Sequence, residues 1–167
     1  MSRSKPRPEG ADSADPEQIR EAVAGCRATA LGLLARREHS RRELAHKLDQ
    51  RGHDREVVGP VLDALMAEGL LDEDRYVDSY VHARSQRGYG PLRIRAELRQ
   101  RGIDDGLIDA HLDGPDSGWQ EAAAAAHRKR FGDGPPADLR ERARRTRFLQ
   151  QRGFGAEHIR RVLGGDD

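Results

Sequence analysis

"LRQRGIDDGLIDAHL", Leu98 to Leu112, decides how this chain is read, because the chain says nearly the same thing twice more. Leu48 to Leu62 is "LDQRGHDREVVGPVL", and Leu149 to Leu163 is "LQQRGFGAEHIRRVL". All three fit Leu-x-Gln-Arg-Gly, with Val or Ile at the eleventh position and Leu at the fifteenth. The glycines Gly52, Gly102 and Gly153 stand 50 and 51 residues apart. Each fits a helix stop. With Gly102 just past the helix end, Leu98 and Ile103 fall where a Schellman turn brings two apolar side chains together. The same register pairs Leu149 with Phe154 and Leu48 with His53. Arg51, Arg101 and Arg152 lie at the negative end of each helix, where a cation is mildly favourable. The repeated Gln-Arg-Gly therefore reads as structural punctuation.

Between the stops, helix starts recur. "DPEQ" at Asp15 offers a cap followed by proline at the first helical position, with Gln18 placed to complete a capping box. Ile19, Val23, Cys26, Ala30 and Leu34 then follow on one helical face. Ser40 with Glu43 starts a second helix and Asp54 a third, in which Pro60 is expected to bend or delay the helix. Asp72, Gly90-Pro91 and Asp104 open the next three. Ser117 with Gln120, and Asp138 with Glu141, open two of the last three. No stretch alternates with the period of a strand. Met1 to Ala14 is rich in Pro, Ser, Gly and charge and has little to bury, so it reads as disordered.

The expectation is an all-α chain of about nine helices, in three tandem three-helix repeats that form an elongated, curved, solenoid-like array. The boundaries are a disordered tail at 1–14 and repeats at 15–71, 72–114 and 115–167. Composition agrees. Among 167 residues, 35% are apolar, 35% charged and only 4% aromatic, a thin core for one globule. Small units that lean on their neighbours suit it better.

Several functions are unsupported. The single cysteine, Cys26, excludes an internal disulfide, and it lies on an apolar helix face. The seven histidines include no close metal-ligand pair, and no phosphate-binding glycine loop occurs. No cofactor, metal or catalytic residue is expected, and the chain does not read as an enzyme. It has neither a membrane-length apolar run nor a signal-peptide stretch, so a cytoplasmic protein, acting as a monomer, is expected.

Charge is where function is sought. The net charge is +1. From Pro115 onward there are 11 basic and 8 acidic residues, and the chain before that is slightly acidic. Arg84, Arg87, Arg93, Arg95, Arg99 and Arg101 are opposed between them only by Glu97. Arg140, Arg144 and Arg147 belong to a second cluster around Glu141, and "HRKRF" from His127 to Phe131 adds three more cations. Arginine suits phosphates and carboxylates alike through its bidentate fork. Arg84, Arg87, Arg93, Arg95, Arg99, Arg140, Arg144 and Arg147 are taken as the candidate partner-binding residues. Gly52, Gly102 and Gly153 are the structural stops.

Glu68 to Ile103, "EGLLDEDRYVDSYVHARSQRGYGPLRIRAELRQRGI", strongly resembles the RecX family of RecA regulators. The resemblance rests on Gly69-Leu70-Leu71-Asp72, Tyr76, Tyr80, Arg84, Gly88 and Gly90-Pro91 ahead of the helix end. "ALGLLARREHSRRELAHKL", Ala30 to Leu48, is similar to the family's opening helix pair. The likeness runs from about Gln18 to Leu163, and the third unit departs where Arg145 stands in register with Leu44 and Ile94. It implies modular three-helix repeats that bind RecA and its filament on DNA. Inhibition of the recombinase, ATPase and co-protease activities is implied with it, modulating DNA repair and the SOS response. Weak direct contact with DNA is compatible with the arginines. Two other readings remain: a helix-turn-helix-like DNA-binding regulator, and a helical scaffold for some other partner.

Overall fold

The computed structural model describes residues 15–114 and 118–164. The tail expected to be disordered, 1–14, and the expected cap Ser117 lie outside the described residues. The described residues hold nine helices and no strand: α1 (Pro16–Leu34), α2 (Arg41–Gln50), α3 (Arg55–Ala67), α4 (Glu73–Gln86), α5 (Pro91–Gln100), α6 (Asp105–Leu112), α7 (Trp119–Phe131), α8 (Leu139–Arg152) and α9 (Ala156–Leu163).

Most starts are made by the side chains that the sequence points to. Asp15, Ser40, Asp54, Asp72, Asp104 and Asp138 each accept a hydrogen bond from a backbone N–H of the first turn. Such a bond satisfies a donor that the helix leaves unpaired. Two expectations change. Glu43 does not close a capping box, because its carboxylate takes the guanidinium of Arg37 at 2.5 Å and the ammonium of Lys47 at 3.5 Å. Helix α3 runs unbroken through Pro60. Proline removes the one bond that its N–H would have made to Glu56, and that residue is exposed, where water can satisfy its carbonyl.

The three stops are built alike. The N–H of Gly52, Gly102 and Gly153 donates to Asp49, Arg99 and Gln150, and the following N–H reaches back to Leu48, Leu98 and Leu149. That is the Schellman bond pair. The three glycines have φ of 84°, 79° and 93°, in the left-handed region where a Cβ is strained. Ile103 and Phe154 are 5% and 2% exposed, as the clasp requires. His53 substitutes a polar solution, its Nε2 in a hydrogen bond with Thr29 Oγ1 at 3.0 Å.

Each helix triple packs on itself: α1 to α3, α4 to α6, and α7 to α9. The cores are not equivalent. Unit 1 buries Cys26, Ala30, Leu44, Leu48, Leu62 and Leu65 in a cluster of its own. Units 2 and 3 share one continuous cluster, with Ile94, Leu98 and Leu112 at one end and Trp119, Leu149 and Phe154 at the other. Trp119 fastens the join by donating from its indole nitrogen to Leu112 O at 3.0 Å.

Arg145, in register with core Leu44 and Ile94, is 4% exposed. It is nonetheless satisfied. Its guanidinium donates to Glu141 Oε1 at 2.7 Å, Gly134 O at 2.6 Å and His127 Nε2 at 3.2 Å, and lies over the Phe131 ring. Burial and then the neighbouring Arg145 charge lower the His127 pKa, so the ring stays neutral and accepts. The third unit thus keeps its core by replacing an aliphatic side chain with a completed polar network.

Candidate functional site: a basic groove between the second and third units

The units join by a repeated device. Within unit 1, the start of α2 meets the stop of unit 2: Ser40 Oγ donates to Arg101 O at 3.1 Å and Arg42 Nη1 to Gln100 O at 3.5 Å. Within unit 2, the start of α5 meets the stop of unit 3. Gly90 N donates to Arg152 O at 2.7 Å, Leu92 N to Gly153 O at 3.0 Å and Arg93 Nη1 to Gln151 O at 3.3 Å. The Gln-Arg-Gly is therefore more than punctuation. Its carbonyls, freed by the end of the helix, accept the next contact.

Docking α5 on the third stop leaves a groove of about 730 Å³ between α4 and α7. Its apolar lining is Val81, Trp119, Ala122, Ala126 and Phe148, and its cations are Arg87, Lys129, Arg130 and Arg152. Among the described residues, none of these four makes an ion pair. Arg87 stands at the end of α4, with its carbonyl taking a hydrogen bond from Arg152 at 3.3 Å. Arg152 lies over the rings of Tyr89 and Phe148. Asp78 and Glu121 are the acidic residues of the lining. A half-apolar channel with unpaired guanidiniums can hold an acidic, partly apolar segment of a partner, because each cation is still free to form a charge-assisted bond.

The sequence-derived arginines divide. Arg84, on α4, is drawn inward to Glu97, which also accepts from Tyr80 at 2.7 Å and Arg93 at 3.1 Å. Burial pushes the Glu97 carboxyl up, but these hydrogen bonds outweigh it and leave its pKa below the ordinary value. Arg95 pairs with Asp109 and Asp113, and Arg99 with Asp105 at 2.6 Å. Each of these four guanidiniums is paired with a carboxylate of its own unit. Read along the chain, only Glu97 opposes them. The acids of α6 become their neighbours through packing on α5.

Arg87, Arg140, Arg144 and Arg147 remain. Arg140, Arg144, Phe148 and Arg152 follow one another at intervals of four on α8, so they share a helix face that continues the groove wall. Arg144 makes only a long contact to Glu141, 3.6 Å, and lies over Phe131. Arg140 and Arg147 are exposed and unpaired among the described residues. Lys129, Arg130 and Arg152 are groove cations outside the sequence-derived set. The "HRKRF" run was the available signal for two of them. Arg152 is hidden inside the stop motif.

Comparison with known proteins gives a consistent result. Residues 26–65, 72–112 and 119–163 match the descriptions "RecX, first three-helix domain", "RecX, second three-helix domain" and "RecX, third three-helix domain". The chain is 53% identical over 141 residues to Regulatory protein RecX of Halorhodospira halophila, covering 84% of this chain and 88% of the relative. It is 50% identical over 141 residues to Regulatory protein RecX of Pseudomonas entomophila, covering 84% and 91%. The crystal structure of RecX from Lactobacillus salivarius superposes with a TM-score of 0.73 at 20% identity, over 87% of this chain and 96% of that one. A crystal structure of regulatory protein RecX aligns with a TM-score of 0.69 at 26% identity, over 92% and 79%.

Proposed function

The chain belongs to the RecX family of regulatory proteins, and from that premise we propose that it binds RecA and the RecA filament on DNA and inhibits the recombinase, ATPase and co-protease activities. Family membership supports a regulatory protein in general terms. The observation that carries the finer reading is the groove between α4 and α7. Its four unpaired cations over an apolar floor suit an acidic protein surface. Among the described residues no group of His, Cys, Asp and Glu could hold a metal ion, and no helix is long and apolar enough to cross a membrane. An array of consecutive units reaching along a filament gains affinity from several modest contacts made by one molecule. Arg140, Arg144 and Arg147 extend the contact along α8, and Arg87 completes it from α4.

The helix-turn-helix reading loses ground on the same structure. The third helix of each unit would be the reading helix. In units 1 and 2 that helix starts on Asp54 and Asp104, with Glu56 and Asp105 in its first turn. Carboxylates placed there repel phosphate.

The test is to add the purified protein to RecA on single-stranded DNA and follow ATP hydrolysis. The expected outcome is inhibition at stoichiometric amounts, weakened at least tenfold by the charge reversal Arg87→Glu with Arg130→Glu, while the melting curve is unchanged. No inhibition by the wild-type protein overturns the reading. Inhibition that the double variant retains removes the groove from it.

A further inference from the structure

Two of the three Gln-Arg-Gly stops are occupied by a helix start, and among the described residues the first is not. We infer that the stop at Gln50-Arg51-Gly52, with the exposed face of α1 beside it, is an open docking port for the N-terminus of a helix in a partner protein. The helix start it fits has a serine or glycine cap and an arginine in its first turn.

The occupied stops define the chemistry. In both, the cap residue of the incoming helix donates to the carbonyl of the motif arginine, through Ser40 Oγ or Gly90 N. In both, an arginine of the first turn reaches the carbonyl of the residue before it, Gln100 or Gln151, and lays its side chain against the motif glycine. The first stop has the same sequence, the same pair of Schellman bonds and the same left-handed glycine. In front of Gly52, however, a Cβ would meet nothing within 4 Å, whereas at Gly102 it would meet Arg42 and at Gly153 the Arg93 backbone.

The second observation is independent of the stop. Helix α1 continues beyond the core of unit 1, and residues 15–25 are exposed. Ile19 and Val23 carry the buried Cys26 and Ala30 stripe outward and are 47% and 38% exposed. With the units offset by 50 residues, Val23 stands in register with Glu73. That carboxylate accepts from Arg41 N at 2.8 Å at the occupied second stop. The open port therefore offers its occupant carbonyl acceptors at the stop and an apolar patch beside them, in place of a carboxylate.

The chain does not supply the occupant from its own described helices. Ser40 and Gly90 are already docked. Ser40 precedes Gly52, and Gly90 precedes Gly102, by twelve residues, whereas Asp138 precedes Gly153 by fifteen. The extra turn of α8 makes the end of unit 3 unlike the other two starts, as terminal repeats commonly are. Among the described residues the array is open at one end, and the occupant inferred there is a helix of a different protein.

A fluorescein-labelled, lactam-stapled peptide with the sequence Ser40–Gln50 is the probe, titrated with the full-length chain and followed by anisotropy. The assay contains no recombinase, so its outcome does not depend on the reading above. Saturable binding is expected, weakened at least fivefold by Val23→Arg, by Gly52→Asn, or by Ser40→Ala with Arg42→Ala in the peptide. Asparagine tolerates the left-handed conformation and would fill the mouth of the port. Val23→Arg lies on an exposed helix face and keeps the fold whatever Gly52→Asn does. Arg130→Glu, in the groove, is expected to leave binding unchanged. No saturation up to millimolar protein overturns the inference, as does binding that Val23→Arg leaves intact or that Arg130→Glu abolishes. Self-association of the chain that Val23→Arg removes would overturn the different-protein occupant in favour of a second copy.

Discussion

The junction between units 1 and 2 and the junction between units 2 and 3 use the same motif with opposite materials. The first is polar: Ser40 and Arg42 on the stop, Arg41 N on Glu73, and Arg75 on Glu38. Each side keeps its own core. The second is tight, with backbone donors on the stop, two backbones nearly touching and one apolar core shared across it. A Cβ on Gly90 would come within 2.5 Å of Gly153 O and 2.7 Å of Phe154 Cδ1. One sequence motif thus makes a joint of polar side chains between separate cores and a joint of backbone contact over a shared core, according to what its neighbours bury. The comparison implies that units 2 and 3 unfold together, with unit 1 able to loosen separately.

Phe154→Ala should have the largest effect. It removes a 2% exposed ring from the shared core and is expected to destabilise by about 3–5 kcal/mol. Denaturant unfolding monitored by Trp119 fluorescence would show it. If hydrogen exchange then opens only α7 to α9 and leaves α4 to α6 protected, the two units are not one body.

The three motif glycines make the sharpest internal test. Each Gly→Ala change forces a Cβ into the left-handed region, at about 1 kcal/mol. At Gly153 the new atom also meets Arg93 N at 2.5 Å, and backbone cannot step aside. Overpacking there is expected to add about 1–3 kcal/mol. At Gly102 the nearest atom is Arg42 Cδ at 2.8 Å, the mobile part of a side chain, and at Gly52 there is open space. Thermal melts should rank Gly153→Ala as the most damaging, then Gly102→Ala, then Gly52→Ala. Equal losses at all three would mean that the stops matter only as turns.

Acid should weaken unit 1 most. The Arg37 guanidinium hydrogen-bonded to Glu43 holds that carboxyl at about 2, against an ordinary 4.5. A carboxylate depressed in the folded state stabilises above the unfolded value, and the contribution disappears as pH falls from about 4.5 towards 2. The gap corresponds to at most about 3 kcal/mol. Glu97 and Glu141 are lowered too, so all units feel acid, with α1 to α3 expected to lose exchange protection first. Arg37→Ala should erase the difference. The smallest effect is expected from Arg75→Ala, whose pair with Glu38 is partly solvated. About 0.5 kcal/mol, shrinking in high salt, would fit an exposed ion pair.

Much of this was legible in the chain. The caps at Ser40, Asp54, Asp104 and Asp138 and the clasps Leu98–Ile103 and Leu149–Phe154 depend on residues two to five apart, and local geometry settles them. The candidate surface was legible only in part. Arg84, Arg95 and Arg99 look like free charge along the sequence, yet Glu97, Asp109, Asp113 and Asp105 reach them only after α5 packs on α4 and α6. Arg152 was read as the residue before a stop, and it turned out to line the groove. Arg145 looked like a defect in a core position and is held by Glu141, Gly134 and His127.

By itself, the sequence determined the number of helical units, their length, their starts and stops, and the family they resemble, because each depends on short-range periodicity and backbone conformation. Only the tertiary structure decided which stops are filled, which cores merge and which arginines keep their charge unpaired. Those outcomes depend on groups on different helices, from Arg95 and Asp109, 14 residues apart, to Ser40 with Arg101 and Arg152 with Arg87, 61 and 65 apart, meeting when the helices pack. No local pattern in the chain encodes such a meeting.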